Sequence, residues 1–217
     1  MVDGEDAVNR RVSYATMAVE DLLDAFASNE PVPGGGSASA LAGSVGVSLL
    51  LMVAGMPRTR TGAPEEVADL SDVSSRLRPL RDTLASLIDE DSRAYRAVVA
   101  AYRLPKGTDS EKAVRRGAVE QAMREATDIP LQTMRACRQA LRGAIAVAQA
   151  GNKNALSDVG VGVELLLAGL RGAAMNVAVN LASLTDATYV ARVKTGRDEL
   201  ERDAMADAER ARAALAT

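Results

Sequence analysis

Apolar residues recur at intervals of three and four along most of this chain, as in Val19, Leu22, Leu23 and Phe26, and do not alternate over a strand's length. Ala, Leu, Arg and Glu dominate, residues that lose little side-chain freedom in a helix. The pattern predicts an all-α protein. A first helix is expected over about 16–28, ended by the turn from Asn29 to Gly36. A second runs from Ser37, a good cap residue, to about Met56, where Pro57 stops it. A third region spans about 65–102 and should bend at Pro79, with Leu77, Leu80, Leu84, Leu87, Ile88 and Tyr95 as its inner stripe. Beyond the loop 104–108, Asp109 or Ser110 caps a fourth region that bends near Pro130 and ends about Ala150. The polar turn Gly151-Asn152-Lys153-Asn154 precedes a fifth helix, from Ser157 to about Leu184, and a charge-rich sixth covers about 186–214.

Two of these helices stand apart. Ser37 to Met56 carries no charge, and Val159 to Leu170 carries only Glu164. Length alone would let the former span a membrane. Half of it is Ala, Gly and Ser, however, and it lacks flanking basic and aromatic belts, so it reads as a central helix buried on all sides whose small residues admit close neighbours. The expected architecture is an antiparallel helical bundle with two buried small-residue helices wrapped by longer amphipathic ones, one domain over 1–217. The charge-free helices also point to pairing with a second copy as a homodimer.

Composition removes more chemistry than it adds. With no histidine and one cysteine, a Ser-His-Asp triad, a Cys-His pair and the usual zinc sites cannot be assembled, so no metal centre is expected. A general base must be Asp, Glu, Lys or Tyr. Cys137 lies between Arg135 and Arg138, neighbours that would lower a thiol pKa, but on a long helix it reads as a small apolar filler. The net charge of −3, without a basic stripe, argues against nucleic acid as a partner. No apolar stretch follows the acidic opening Met1 to Asp6, so no signal peptide is expected and the compartment is read as cytoplasmic. Aromatic residues are only 2%, so a bound flat ring must be held mainly by amides and aliphatic contacts.

Four groups of residues are candidates for a site. In Pro31-Val-Pro-Gly-Gly-Gly-Ser37, the glycines Gly34, Gly35 and Gly36 remove side chains where helix-start amides, including that of Ser37, face outward, an opening that favours an anion or a polar heterocycle. Asn152, Asn154 and Asp158 gather amides and a carboxylate at the fifth helix, although taken alone they read first as a turn with Ser157 as cap. Asn176 and Asn180 share one face of an apolar helix, where an amide must find partners. Of the consecutive Asp89, Glu90 and Asp91, the last lies nearest the inner stripe; an inward carboxylate either pairs with Arg or Lys or faces a cationic substrate.

The glycine turn and small-residue helix occur with Asp91 before Ala94-Tyr95, Ala101-Tyr-Arg-Leu-Pro-Lys106, Ile129-Pro130, Gly151-Asn-Lys-Asn154 with Ser157-Asp158, and Asn176 with Asn180. That ordered set, over about 19–183, resembles the cyclodeaminase/cyclohydrolase family. The block at 104–112 is more similar to the stand-alone cyclohydrolases than to the fused deaminases, while Ala54-Gly-Met-Pro-Arg58 departs from many relatives. The resemblance implies a helical dimer that binds a reduced folate, with no cofactor beyond that substrate. It further implies either hydrolytic opening of 5,10-methenyltetrahydrofolate or ammonia loss from formiminotetrahydrofolate. Asp91 or Asp158 would be the base. Gly34, Gly35, Gly36, Ser37, Lys106, Asn152, Asn154, Asn176 and Asn180 would bind substrate, with the glycine turn holding part of the folate, such as its acidic tail. A folate-binding scaffold without catalysis and a purely structural dimer are the other readings.

Overall fold

Helix α2 (Gly35–Ala54) and helix α5 (Leu156–Leu181) lie antiparallel at the centre of the computed structural model, which describes residues 13–216. The register is set by glycines. A Cβ on Gly46 would come within 2.9 Å of the Gly162 carbonyl oxygen, and one on Gly169 within 2.7 Å of the Ser39 carbonyl oxygen. Backbone meets backbone there, an approach that only glycine permits. Around this pair pack α3 (Pro64–Tyr102), α4 (Asp109–Ala150) and α6 (Ala187–Leu215), while α1 (Val19–Ala27) and a 3-10 turn at Tyr14–Thr16 close one end. No strand occurs among the described residues. One apolar core joins Leu50, Leu84, Met134, Leu141, Leu166 and Ala208, drawn from all five long helices.

The helix ends correct three expectations. α2 begins two residues before Ser37, with Gly34 as its N-cap, which frees the Ser37 hydroxyl for a tertiary role. α4 is capped by Thr108 rather than Asp109 or Ser110, through a reciprocal capping box with Glu111. α5 starts at Leu156 after a 3-10 turn at Lys153–Ala155, so Ser157 does not cap it. Both α3 and α4 continue through Pro79 and Pro130. The acidic opening Met1 to Asp6 lies outside the described residues.

Burial of the small-residue helices on all sides is also corrected. α2 and α5 are each long and apolar enough to cross a membrane, but only half of each such stretch is buried in the bundle. The outer strip of α2 exposes Val45 and Met52, and that of α5 exposes Val161, Met175 and Val179 with Glu164 and Arg171 set between them. Cys137 is the filler it was read to be: it packs where α2 and α5 pass, beside Gly43 and Gly169, and burial pushes its thiol up to about 12.

Candidate functional site

At the end of the bundle where α2 begins and α5 finishes, α2, α3, α4 and α5 line a cavity of about 340 Å³. Its walls include Gly34, Gly35 and Gly36 from the turn and start of α2, Asp91 from α3, and Asn176 and Asn180 from α5. Residues far apart in sequence meet here because α3 passes the start of α2 while α5, antiparallel to α2, ends beside it.

Asp91 is the chemical centre of this cavity. Its Oδ2 accepts the Ser37 backbone N–H at 2.9 Å and lies 3.1 Å from the Ser37 hydroxyl, which also reaches the Ile88 carbonyl at 2.8 Å. Gly36 admits the carboxylate: a Cβ there would lie 2.5 Å from Asp91 Cγ, closer than any real contact. No cation pairs with Asp91 among the described residues, and Oδ1 accepts no hydrogen bond from them. Burial holds this carboxyl above the usual aspartate range, partly offset by the hydroxyl and amide of Ser37. The two neighbouring acids have ordinary duties. Asp89 accepts the Ser13 hydroxyl and the Tyr14 N–H, both at 2.7 Å, and Glu90 faces Arg93 at 3.8 Å on the surface.

Helix α2 therefore does not offer its start to an external anion, as the sequence suggested. The N-terminal amide that attracts negative charge is already bonded to Asp91. What enters the cavity meets a carboxylate oxygen, which suits a cation.

The two asparagines supply directional polarity. Asn176 Nδ2 donates to the Gly172 carbonyl at 2.9 Å and Asn180 Nδ2 to the Ala126 carbonyl at 2.8 Å. Each amide is thus anchored by one N–H, leaving a second N–H and the oxygen for a ligand. Tyr95, Val98 and Met123 add apolar wall. Apolar spacing puts Tyr95 in the inner stripe of α3 and marks neither Val98 nor Met123 as a ligand contact. Tyr95 is in fact 42% exposed, and its position one helical turn after Asp91 was the signal available.

The other sequence candidates lie elsewhere. Asn152, Asn154 and Asp158 sit around the start of α5, and the helix rises about 27 Å between Asp158 and Asn176. Asn152 caps the 3-10 turn, its Oδ1 accepting the Asn154 N–H at 2.9 Å. Lys106 is exposed in the loop between α3 and α4, away from the cavity walls. Within one chain, then, the candidate residues other than Lys106 form two groups at opposite ends of α5. Among the described residues no cluster of His, Cys, Asp and Glu fit to hold a metal ion occurs.

Residues 18–199 match the model of the formiminotransferase-cyclodeaminase family. The chain is 43% identical to a methenyltetrahydrofolate cyclohydrolase of Methylorubrum extorquens over 171 residues, covering 79% of this chain and 82% of that protein. It is 34% identical to the formimidoyltransferase-cyclodeaminase of Rattus norvegicus over 161 residues, 72% of this chain but only 29% of that longer protein. The fold matches the crystal structure of a formiminotetrahydrofolate cyclodeaminase from Thermotoga maritima with a TM-score of 0.83, over 93% of this chain and 96% of that one, at 23% identity.

Proposed function

Because the chain belongs to the formiminotransferase-cyclodeaminase family, we propose that it opens the ring of 5,10-methenyltetrahydrofolate with water to give 10-formyltetrahydrofolate, a cyclohydrolase step of one-carbon metabolism. The observation that carries this reading is the half-buried Asp91, whose free oxygen faces a small cavity with no basic partner among the described residues. The methenyl bridge is a cationic amidinium. A nearby carboxylate stabilises it, and Asp91 Oδ1 takes a proton from the water that attacks the bridging carbon. The proton held by Asp91 then passes to N5 as the carbon–N5 bond of the tetrahedral adduct breaks, and the adduct's hydroxyl releases its own proton to solvent as it becomes the carbonyl, leaving the formyl group on N10. Asn176 and Asn180 present N–H and C=O groups matched to the pterin edge. These steps use the chain's own residues and the folate, with no added cofactor.

Loss of methenyltetrahydrofolate absorbance near neutral pH, corrected for spontaneous hydrolysis, tests this reading. A rate equal to that without protein would end it. The second reading, formiminotetrahydrofolate cyclodeaminase, is favoured by the 34% identity to the rat enzyme's segment; ammonia release from that substrate distinguishes it. The high similarity to a stand-alone cyclohydrolase over most of both chains places it second.

The working form in this reading is a cytoplasmic homodimer, with the exposed strips of α2 and α5 against a second copy rather than a membrane. A two-fold axis crossing these helices would set the partner's α5 start beside the cavity. Asn152, Asn154 and Asp158 would then join Asp91 in one site.

A further inference from the structure

A second groove, of about 850 Å³, adjoins the Asp91 cavity and shares Pro31, Val32 and Tyr95 with it. We propose that this groove seats the acidic tail of the substrate, with Arg96 and Arg103 as the partners of its carboxylates. The inference rests on the folate reading above and adds a subsite to it.

Both arginines line the groove from α3 and the residue that caps it, two turns apart and so on one side of the helix. Neither forms an ion pair among the described residues; Glu30, the one acid on the groove wall, is not within salt-bridge distance of either. Arg96 is already aimed. It donates to the Tyr14 hydroxyl at 3.1 Å, and that hydroxyl donates to the Val32 carbonyl at 3.4 Å, which ties the guanidinium to the wall between the two spaces. Its remaining N–H groups suit a carboxylate in the paired geometry that guanidinium favours.

Polarity along α3 gives the direction. Asp91, Tyr95, Arg96, Val99 and Arg103 follow one another over a rise of about 18 Å, from a negative end at the reacting carbon to a positive end at the groove. A reduced folate has the matching order: a cationic bridge by the pterin, a benzoyl ring that can lie along Tyr95 and Val99, then glutamate. The glycine turn, which the sequence offered as the tail's seat, is the wrong place for it, because Asp91 would repel a carboxylate there.

The test compares methenyltetrahydrofolate with the corresponding methenyltetrahydropteroate, which lacks the glutamate. The wild-type protein should prefer the tailed substrate by about tenfold in kcat/KM. In Arg96→Gln/Arg103→Gln that ratio should fall toward one through a higher KM for the tailed compound, and Arg103→Lys should keep part of it. Should the double variant not fold, Arg103→Gln alone, at an exposed position past the last turn of α3, reads the same ratio. An unchanged ratio with turnover of both compounds overturns the subsite and leaves the cyclohydrolase reading intact. Turnover of neither by the wild type overturns both.

Discussion

The backbone N–H of Ser37 donates to Asp91 Oδ2 at 2.9 Å, so the negative charge at the start of α2 belongs to the chain itself. A helix start that would ordinarily collect a foreign anion here positions a carboxylate for work on a cation. The Asp91 side chain is held by this bond on one oxygen and left free on the other.

Asp91→Asn keeps the size and the hydrogen-bond acceptor but cannot take a proton. Its rate of methenyltetrahydrofolate hydrolysis should fall by about 100-fold or more, with the helical circular dichroism signal retained. A variant with full activity would remove Asp91 from the mechanism.

The pH dependence follows from the burial of Asp91, which raises its pKa, against the lowering by Ser37. Activity requires the ionised form, so the acid limb of the kcat/KM profile should lie above the ordinary aspartate range. Ser37→Ala removes the hydroxyl that favours ionisation and should move that limb to still higher pH. The same shift has a consequence for stability. A carboxyl with a raised pKa in the folded state favours folding below its unfolded pKa, and that contribution is lost as pH rises through the folded value. Asp91→Asn should therefore melt higher than the parent near neutral pH, and the gap should close in acid. A parent limb at the ordinary aspartate value would contradict the burial argument.

Gly36→Ala tests the packing behind this chemistry. The added carbon would enter the Asp91 carboxylate and displace it from Ser37. The expected outcome is loss of kcat with a stability cost of about 1–3 kcal/mol, measured by denaturant titration. Gly35→Ala should be much milder, because a Cβ there meets Asn176 Nδ2 at an ordinary 3.6 Å.

Asn176→Ala and Asn180→Ala should each weaken folate binding on the order of tenfold by calorimetry, since each removes one amide from the cavity. Unchanged affinity in both would confine Asn180 to anchoring α5 against Ala126 of α4 and Asn176 to its bond with Gly172 one turn back in α5.

If the site is shared between two copies, Asp91→Asn and Asp158→Asn proteins, each inactive alone, should regain activity when mixed and allowed to exchange. The mixed dimer then holds one site with both carboxylates. Size-exclusion chromatography with light scattering gives the assembly state. A monomer, or a mixture that stays inactive, would reject the shared site.

The helices were legible from the three-and-four spacing of apolar residues, and Asp91, Asn176 and Asn180 from the cost of polar groups on apolar faces. What the sequence could not show is which ends of which helices meet. Asn152, Asn154 and Asp158 carry the same amide-and-carboxylate signature as the cavity residues, and it is the antiparallel course of α5 against α2 that brings its Asn176 and Asn180 end to Gly35 and Asp91. The role of Ser37 was hidden for a local reason. Ser is a preferred cap, and the start of α2 at Gly35 became visible only with Gly34 seen to take that place. Tyr95 was misjudged because helical periodicity assigns a face but not whether a neighbour or a void covers it.

The contact between Gly46 and Gly162 acts as a spacer gauge for the whole central pair. It lies about 15 Å along α2 from Gly36, yet the separation it permits is the one at which Gly35 and Asn176 face each other across the cavity. A Cβ introduced at Gly162 has the Gly46 carbonyl oxygen 3.1 Å away and Leu50 at 3.3 Å, so one of these neighbours must give by a few tenths of an ångström. Such a change would tilt one helix away from the other and widen the substrate opening from a distance, so a screen for altered specificity would find some of its variants far from any ligand.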